Sequence, residues 1–431
     1  MSPLFFHYDS RTDYIEARYN THCNMGKTTG ERRIERAKRL HRPSFKSHDW
    51  YKEALCRYFV EYREGLEDCS SFSAATCSTG AELPHAVRFF YYNEISGIDK
   101  LAGPCVIRDI PKYENWRAIK SWPELLSSGE NSKYRDRKYK CGEDDDGYKV
   151  KVKMHYFLSY MRKNYDDSPL YIFDSNFDTD KVNENLLDDY SVPSLFRDDL
   201  FGLISERRRP PYRWFLIGPE RSGTTIHTDP LGTAAWNTLI AGKKRWVLFP
   251  PSIPKRWAKA SQFCKKGEDD EASQYFMQML PRLKRDAKKH PERYPDLEIY
   301  EFTQNEGETV FIPHGWWHAV LNLTDTIGVT QNFVSERACN FDAAWMKTRS
   351  DRKKMAWKWL AQLKEHHPHL AKRALELNRR DNFVMKYDPK NLEQQARMRK
   401  KKANIRQANK KDSDGSNLKR VRTENAEADS P

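Results

Sequence analysis

Two stretches of this chain read as strand, glycine turn, strand, and candidate metal ligands flank both. In the first, Trp236 to Ile240 is apolar and β-prone, Ala241-Gly242-Lys243 breaks the run, and Arg245 to Phe249 resumes it before Pro250-Pro251. In the second, Glu308 to Pro313 precedes a turn at Gly315, and Ala319 to Leu323 follows it. Short strands joined by tight turns build sandwiches and barrels, so the centre of the chain is expected to be mainly β. Lys244 enters an otherwise predominantly apolar strand.

The run Gly223 to Pro230 contains His227 and Asp229. In an extended strand, side chains two apart point to one side, so these two can reach one metal while Thr228 faces away. His318, in Pro313-His314-Gly315-Trp316-Trp317-His318, would close a 2-His-1-carboxylate triad. Such a triad leaves positions open on a non-haem Fe(II) for a chelating cosubstrate and O2. His-x-Asp alone is a three-residue pattern that chance supplies; the flanking strands give it weight. His314 lies four residues before His318, as in helical zinc pairs. Pro313 and Gly315 argue against a helix there, and His318 opens a β-prone run, so His318 is preferred and His314 reads as a surface or gating residue.

The length of 431 residues allows one large domain with appendages or two domains. No apolar run approaches the roughly 18 residues of a membrane span, and Leu4-Phe5-Phe6 is too short for a signal core of about 7 apolar residues or more. An intracellular, soluble protein is expected. The eight cysteines include no C-x-x-C pair and read as reduced packing thiols. Asn322-Leu323-Thr324 fits a glycosylation pattern but falls in an expected strand and is discounted.

The formal net charge of +14 favours acidic or nucleic-acid partners. Residues 390–431 hold 12 Lys and Arg against 6 Asp and Glu, with no aromatic after Tyr387, which predicts a disordered tail. Arg397 to Lys402 and Leu418 to Arg422 look like nuclear-import clusters, and RNA binding is compatible with the same segments. A further basic cluster, Lys27 to Arg42, resembles a helix that touches nucleic acid or packs on the core. Residues 65–85 look like a loop or insertion. Glu143 to Gly147 reads as a solvated acidic turn. Lys255 to Pro295 reads as an insertion between strands, helical from about Ala272 to Leu280, with Pro281 ending the run. After Phe333, Trp345, Met355, Trp359, Leu360 and Leu363 recur with rough helical spacing. His366-His367-Pro368 breaks the pattern before Leu370 to Leu377 resumes it. Core packing is the first role expected of this helical region, and a homo-oligomeric interface the second.

Longer runs carry a family resemblance. Asp166-Asp167-Ser168-Pro169-Leu170-Tyr171-Ile172-Phe173-Asp174, Arg209-Pro210-Pro211-Tyr212-Arg213-Trp214-Phe215, the His227 segment through Trp246, and Gly315 to Phe333 resemble the Jumonji-C family of bifunctional arginine demethylases and lysyl hydroxylases, formerly called phosphatidylserine receptors. The likeness covers roughly residues 94–365, and Met25 is as compatible with a start as Met1. It implies a mainly β fold with flanking helices, a double-stranded β-helix of the cupin jelly-roll type, plus a C-terminal helical region. The implied organisation is a basic N-terminal region 1–90, a catalytic core 91–335, helices over 336–388 and a disordered basic tail 389–431.

The resemblance also implies Fe(II) held by His227, Asp229 and His318, with 2-oxoglutarate as cosubstrate, O2 as oxidant and ascorbate as reductant. It matches Lys244 to the partner of the distal 2-oxoglutarate carboxylate, Tyr171 and Thr330 to hydroxyls on that carboxylate, and Thr224 and Asn237 to contacts nearer the metal. Trp214 and Asn332 match pocket-lining positions. Lysyl 5-hydroxylation ranks first and methylarginine demethylation second, on histones and Arg/Ser-rich splicing factors in the nucleus. The rival is a non-catalytic interaction protein, RNA-associated or active in apoptotic-cell clearance. His314 and Glu220 depart from the family pattern, where glycine and proline are expected, and bear on substrate access near the mouth.

Overall fold

The structure, a computed structural model, describes residues 28–41, 85–128, 132–143, 146–163, 168–177, 184–206, 209–265 and 271–385. The expected start-site extension, most of the 65–85 loop and both tail clusters lie outside these residues. The chain divides into two compact units: one runs to Gly202 and resumes over Arg209–Ala344, and the other takes Leu203–Arg208 and the chain from Trp345.

The first unit is built on two facing sheets, the expected jelly roll. The larger has seven strands in the order β1 (Arg88–Tyr91), β2 (Cys105–Arg108), β11 (Thr309–Ile312), β8 (Ala234–Ala241), β13 (Thr326–Phe333), β6 (Arg213–Gly218) and β5 (Ile172–Asp174). The smaller has four, β10 (Tyr300–Gln304), β9 (Lys244–Phe249), β12 (Trp317–Asn322) and β7 (Gly223–His227). β1 and β2 run parallel, and every other neighbouring pair is antiparallel. The chain alternates between the sheets at its turns: β8 and β9 flank Gly242 but belong to different sheets, and so do β11 and β12 around Gly315. Gly242 has φ +94°, and a Cβ there would lie 2.2 Å from the Asp325 carbonyl oxygen. Only glycine makes this corner without strain.

Side-chain parity separates three apolar layers. Val106, Ala235, Trp246, Leu248, Phe302, Val310, Ile312 and Val320 form the layer between the sheets. The alternate residues of the large sheet, such as Trp236, Phe311 and Val329, join the helices Ala118–Ser128 and Met154–Met161 in the principal core. Those of the small sheet, Val247, Phe249, Ala319 and Leu321, are covered by the 250–299 insertion. Beneath that insertion Glu301 is buried between Arg245 and Lys284, whose positive charges hold its carboxyl below the usual range against the opposing effect of burial.

One expectation changes in detail. Pro281 does not end its helix. The run continues as an α-helix over Leu280–Lys289, preceded by a π-helical turn over Tyr275–Met279. Leu280 N donates to Tyr275 O, five residues back, and this wider turn accommodates the proline ring, which would otherwise press on the carbonyl of Met277. The basic N-terminal cluster forms the helix Thr29–His41, which buries Ile34, Ala37 and the stem of Lys38 while exposing Arg32, Arg33, Arg36 and Arg39. Packing on the core is thus one of its roles. A third strand pair, β3 (Lys138–Glu143) and β4 (Lys149–Lys153), flanks the acidic turn and forms a separate two-stranded sheet.

In the second unit the helices Lys353–His366 and Pro368–Arg380 are separated at His367, as the His-His-Pro break predicts. Trp345 packs on Trp359 with ring centroids 5.8 Å apart, and its indole N–H donates to Asn378.

Candidate metal and cosubstrate site

His227 ends β7, and His318 is its cross-strand partner in β12, with ring centroids 4.2 Å apart. Asp229 lies just past β7 with an extended backbone (φ −63°, ψ 145°), so the alternation that aligns it with His227 persists beyond the strand. Pro230 then turns the chain away. One ligand-type atom from each of His227, Asp229 and His318 lies within 4.8 Å of the others. Small rotamer adjustments would bring all three onto one ion.

Both imidazoles are oriented by the backbone. His227 Nδ1 is 2.7 Å from the Thr225 carbonyl and His318 Nδ1 is 3.1 Å from the Trp316 carbonyl. A carbonyl oxygen only accepts, so each Nδ1 carries the proton and each Nε2 keeps a lone pair for a metal. Burial, aided by the neighbouring His227, pushes the His318 imidazole down to about 4, which keeps it neutral at physiological pH. Neutral imidazole is the metal-binding form.

A bulge recruits a further side chain. His318 pairs with His227 and Val320 with Thr224, with the register shifting between them. His318 and Val320 share a face of β12, so the bulge puts Thr224 on the same inner face as His227, although their spacing of three would otherwise place them on opposite faces. Along that face of β12, Asn322 follows, flanked by Lys244 of β9, which in turn pairs with Gln304 of β10.

Lys244 is 1% exposed, and burial lowers its ammonium to about 7. No carboxylate among the described residues pairs with it. Tyr171 is hydrogen-bonded to the Asn322 side chain, and burial raises its hydroxyl further above the ordinary phenol range. Asn322 Nδ2 donates to Ser222 Oγ at 2.8 Å. A Cβ on Gly218 would lie 2.4 Å from Ser222 Oγ, 2.5 Å from Tyr171 Cδ2 and 2.7 Å from Asn322 Nδ2, so this corner exists because residue 218 has no side chain.

On the facing sheet Asn237 pairs with Thr330, and Thr330 with Trp214. Thr330 Oγ1 donates to the Trp236 carbonyl at 2.8 Å. Asn332 Nδ2 donates to Thr233 Oγ1 at 3.0 Å. Thr224 Oγ1, Asn237 Oδ1 and Asn322 Oδ1 are buried without a hydrogen-bond partner among the described residues. Each such atom costs about 1–3 kcal/mol if left unsatisfied. A buried lysine and the hydroxyls of Thr224 and Tyr171 near the candidate metal triad are groups that could pair with or donate to a small polar anion.

Sequence reasoning missed Asn322, Ser222 and Gly218. The signal for Asn322 was present: it lies four residues after His318 in one strand, and therefore on the same face.

Comparison with known proteins agrees with this geometry. Residues 214–333 match the family model described as JmjC domain, hydroxylase. The chain carries a JmjC domain. The domain holds the complete triad and both strand-turn-strand units. The bifunctional arginine demethylase and lysyl-hydroxylase psr-1 of Caenorhabditis elegans is 44% identical over 276 residues, 64% of this chain and 65% of that protein. Lysine-specific demethylase JMJ21 of Arabidopsis thaliana is 36% identical over 238 residues, 53% of this chain and 23% of that protein. The 2-oxoglutarate and iron-dependent oxygenase JMJD4 of Mus musculus is 25% identical over 313 residues, 67% of this chain and 68% of that protein. The match to the nematode protein thus spans just under two thirds of its length.

Proposed function

We propose that this protein is an Fe(II)- and 2-oxoglutarate-dependent oxygenase that hydroxylates protein lysine at C5 and demethylates methylarginine. The observation that carries the reading is Lys244: a buried amine without a counter-ion among the described residues, on the same inner face as a 2-His-1-carboxylate triad. Asn322 stands four residues from His318, about 13 Å along the strand, and Lys244 is its partner on β9. A dicarboxylate held at the triad would extend along this face toward Lys244. Its distal carboxylate would meet Lys244 and the Tyr171 hydroxyl, with Thr330 lining the cavity, and its keto-acid end would lie near Thr224 and Asn237. Ion pairing there offsets the desolvation of both charges.

His227, Asp229 and His318 would hold Fe(II) and leave coordination positions free for the cosubstrate and O2. Iron, 2-oxoglutarate and O2 together supply the oxidant, one oxygen entering the C–H bond of the substrate and the other entering succinate as CO2 leaves. The residues of the chain orient and exclude water: the two Nδ1 bonds hold the imidazole planes, and the apolar layer between the sheets keeps the site dry. Oxygen insertion at lysine C5 leaves a stable alcohol, whereas insertion into an N-methyl group of arginine releases formaldehyde. Ascorbate would keep the iron reduced.

Histones and Arg/Ser-rich splicing factors, the nucleus as location, and RNA contacts through the basic segments complete the proposal, resting on the family likeness and the sequence charge. The buried Lys244 on the inner face of the triad favours this reading over a non-catalytic scaffold. Succinate formation from 2-oxoglutarate by the purified protein, dependent on Fe(II) and lost in Asp229→Ala, tests it; equal turnover in the two proteins would refute it.

A further inference from the structure

Tyr300 of β10 shares one cross-strand row with both metal histidines, Tyr300 to Leu248, Leu248 to His318 and His318 to His227. With neighbouring strands about 4.8 Å apart, the Tyr300 backbone is about 10 Å from that of His318. Its side chain packs on the layer between the sheets. Glu298, two residues earlier, lies beyond the end of β10, on the side away from Lys244, and accepts a hydrogen bond from the Tyr300 hydroxyl at 2.8 Å. Trp316 packs edge-on against Tyr300, with centroids 5.2 Å apart, and its own carbonyl orients His318. All three side chains are half-buried.

Glu298 lacks the basic partner that three other shielded carboxylates of this unit have, and among those that also lack one, such as Asp174, Asp189 and Asp286, it is the one bonded to the tyrosine that shares a row with His318. Asp199 holds Arg209, Glu301 holds Arg245 and Lys284, and Glu308 holds Arg108. Glu298 has no basic partner among the described residues, in a chain whose formal net charge is +14. A half-buried carboxylate at the metal end of the barrel, backed by two aromatic rings, matches a basic side chain: the rings cover its methylenes and attract its charge, and the carboxylate pairs with its head.

We propose that Glu298, Tyr300 and Trp316 form the cation-reading edge of the substrate site, and that Glu298 determines the preference for a positively charged side chain over a neutral one of similar length. The inference rests on the oxygenase reading for the identity of the substrate, and its test is separable from that reading.

Binding of a lysine peptide and of the same peptide with acetyl-lysine is measured by calorimetry on the full chain loaded with Fe(II) and 2-oxoglutarate under nitrogen, so that no turnover is needed. The wild type should prefer the charged peptide, and Glu298→Gln should lower the ratio of the two affinities about tenfold or more, the worth of a charge-assisted hydrogen bond. Glu298→Asp should recover part of the ratio, and far-ultraviolet circular dichroism should show both variants folded. A wild type that binds the two peptides equally, or a ratio unchanged in Glu298→Gln, would overturn the inference. Absence of succinate formation by the wild type in air would instead strike at the oxygenase reading.

Discussion

His227 and His318 face each other across the β7–β12 ladder, and each donates its Nδ1 proton to the carbonyl two residues before it, Thr225 and Trp316. The same local geometry, repeated on neighbouring strands, aims two Nε2 lone pairs at one point. Asp229 brings a carboxylate oxygen within 4.8 Å of both from beyond the strand end. Asp229→Ala should therefore lower iron affinity and turnover about a hundredfold or more, since even loss of an outer-shell partner costs about 10- to 100-fold. Iron content after gel filtration, read beside succinate formation, checks this.

Lys244 makes the site expensive when empty. Its ammonium is lowered from 10.5 to about 7 by burial, so between those pH values the unfolded chain binds a proton that the folded chain does not. Stability of the cofactor-free protein should accordingly rise with pH from about 7 to about 10, at up to about 1.4 kcal/mol per pH unit from this group. Lys244→Met should remove that rise and increase the melting temperature near pH 7, while abolishing 2-oxoglutarate turnover and sparing iron binding. Thermal denaturation at a series of pH values, with and without the substitution, measures it. A Lys244→Met protein that keeps full turnover at low 2-oxoglutarate would remove the lysine from the site.

The same group predicts the pH dependence of cosubstrate binding. A dicarboxylate pairs with the protonated amine, so above about pH 7 binding should take up a proton and the affinity should weaken as pH rises, while below about pH 7 it is retained. Titration calorimetry in two buffers of different ionisation enthalpy detects that uptake directly; no uptake at pH 8 would mean Lys244 is already charged in the free protein.

Gly218→Ala tests the corner formed by Tyr171, Ser222 and Asn322. The added methyl meets all three within 2.7 Å. Overpacking of this kind costs about 1–3 kcal/mol. Weaker 2-oxoglutarate binding should accompany the lowered melting temperature, because the Tyr171 hydroxyl is displaced.

The buried ion pair outside the barrel should act on stability more than on chemistry. Arg245 and Glu301 lie on the outward face of the small sheet beneath the insertion. Arg245→Met leaves Glu301 with Lys284 alone and should cost about 3–5 kcal/mol, the penalty of breaking such a pair. Urea denaturation gives the loss, and a KM for 2-oxoglutarate close to wild type in the folded fraction would keep this pair apart from the cosubstrate site.

The turns at Gly242 and Gly315 were legible in the sequence because tight turns have local chemistry. What they connect was not: β8 and β9, like β11 and β12, part into different sheets, and that pairing is decided by strands distant in the chain. The alignment of His227 with Asp229 followed from strand parity alone, whereas the alignment of Thr224 with His227 needed a bulge, which no residue type announces. Pro281 misled because a proline signals a helix end only when the preceding turn is α; a π turn there removes the clash. Asn322 was set aside for its Asn-Leu-Thr context, when its distance of four from His318 carried the information.

Mass spectrometry of lysine-rich and methylarginine peptides, incubated with the purified protein, Fe(II), ascorbate and 2-oxoglutarate, tests the central claim most directly. The account predicts a one-oxygen gain on lysine, with loss of a methyl group from arginine as the second product, both absent in Asp229→Ala. Peptides that leave unmodified while 2-oxoglutarate is consumed at equal rates by wild type and Asp229→Ala would contradict it.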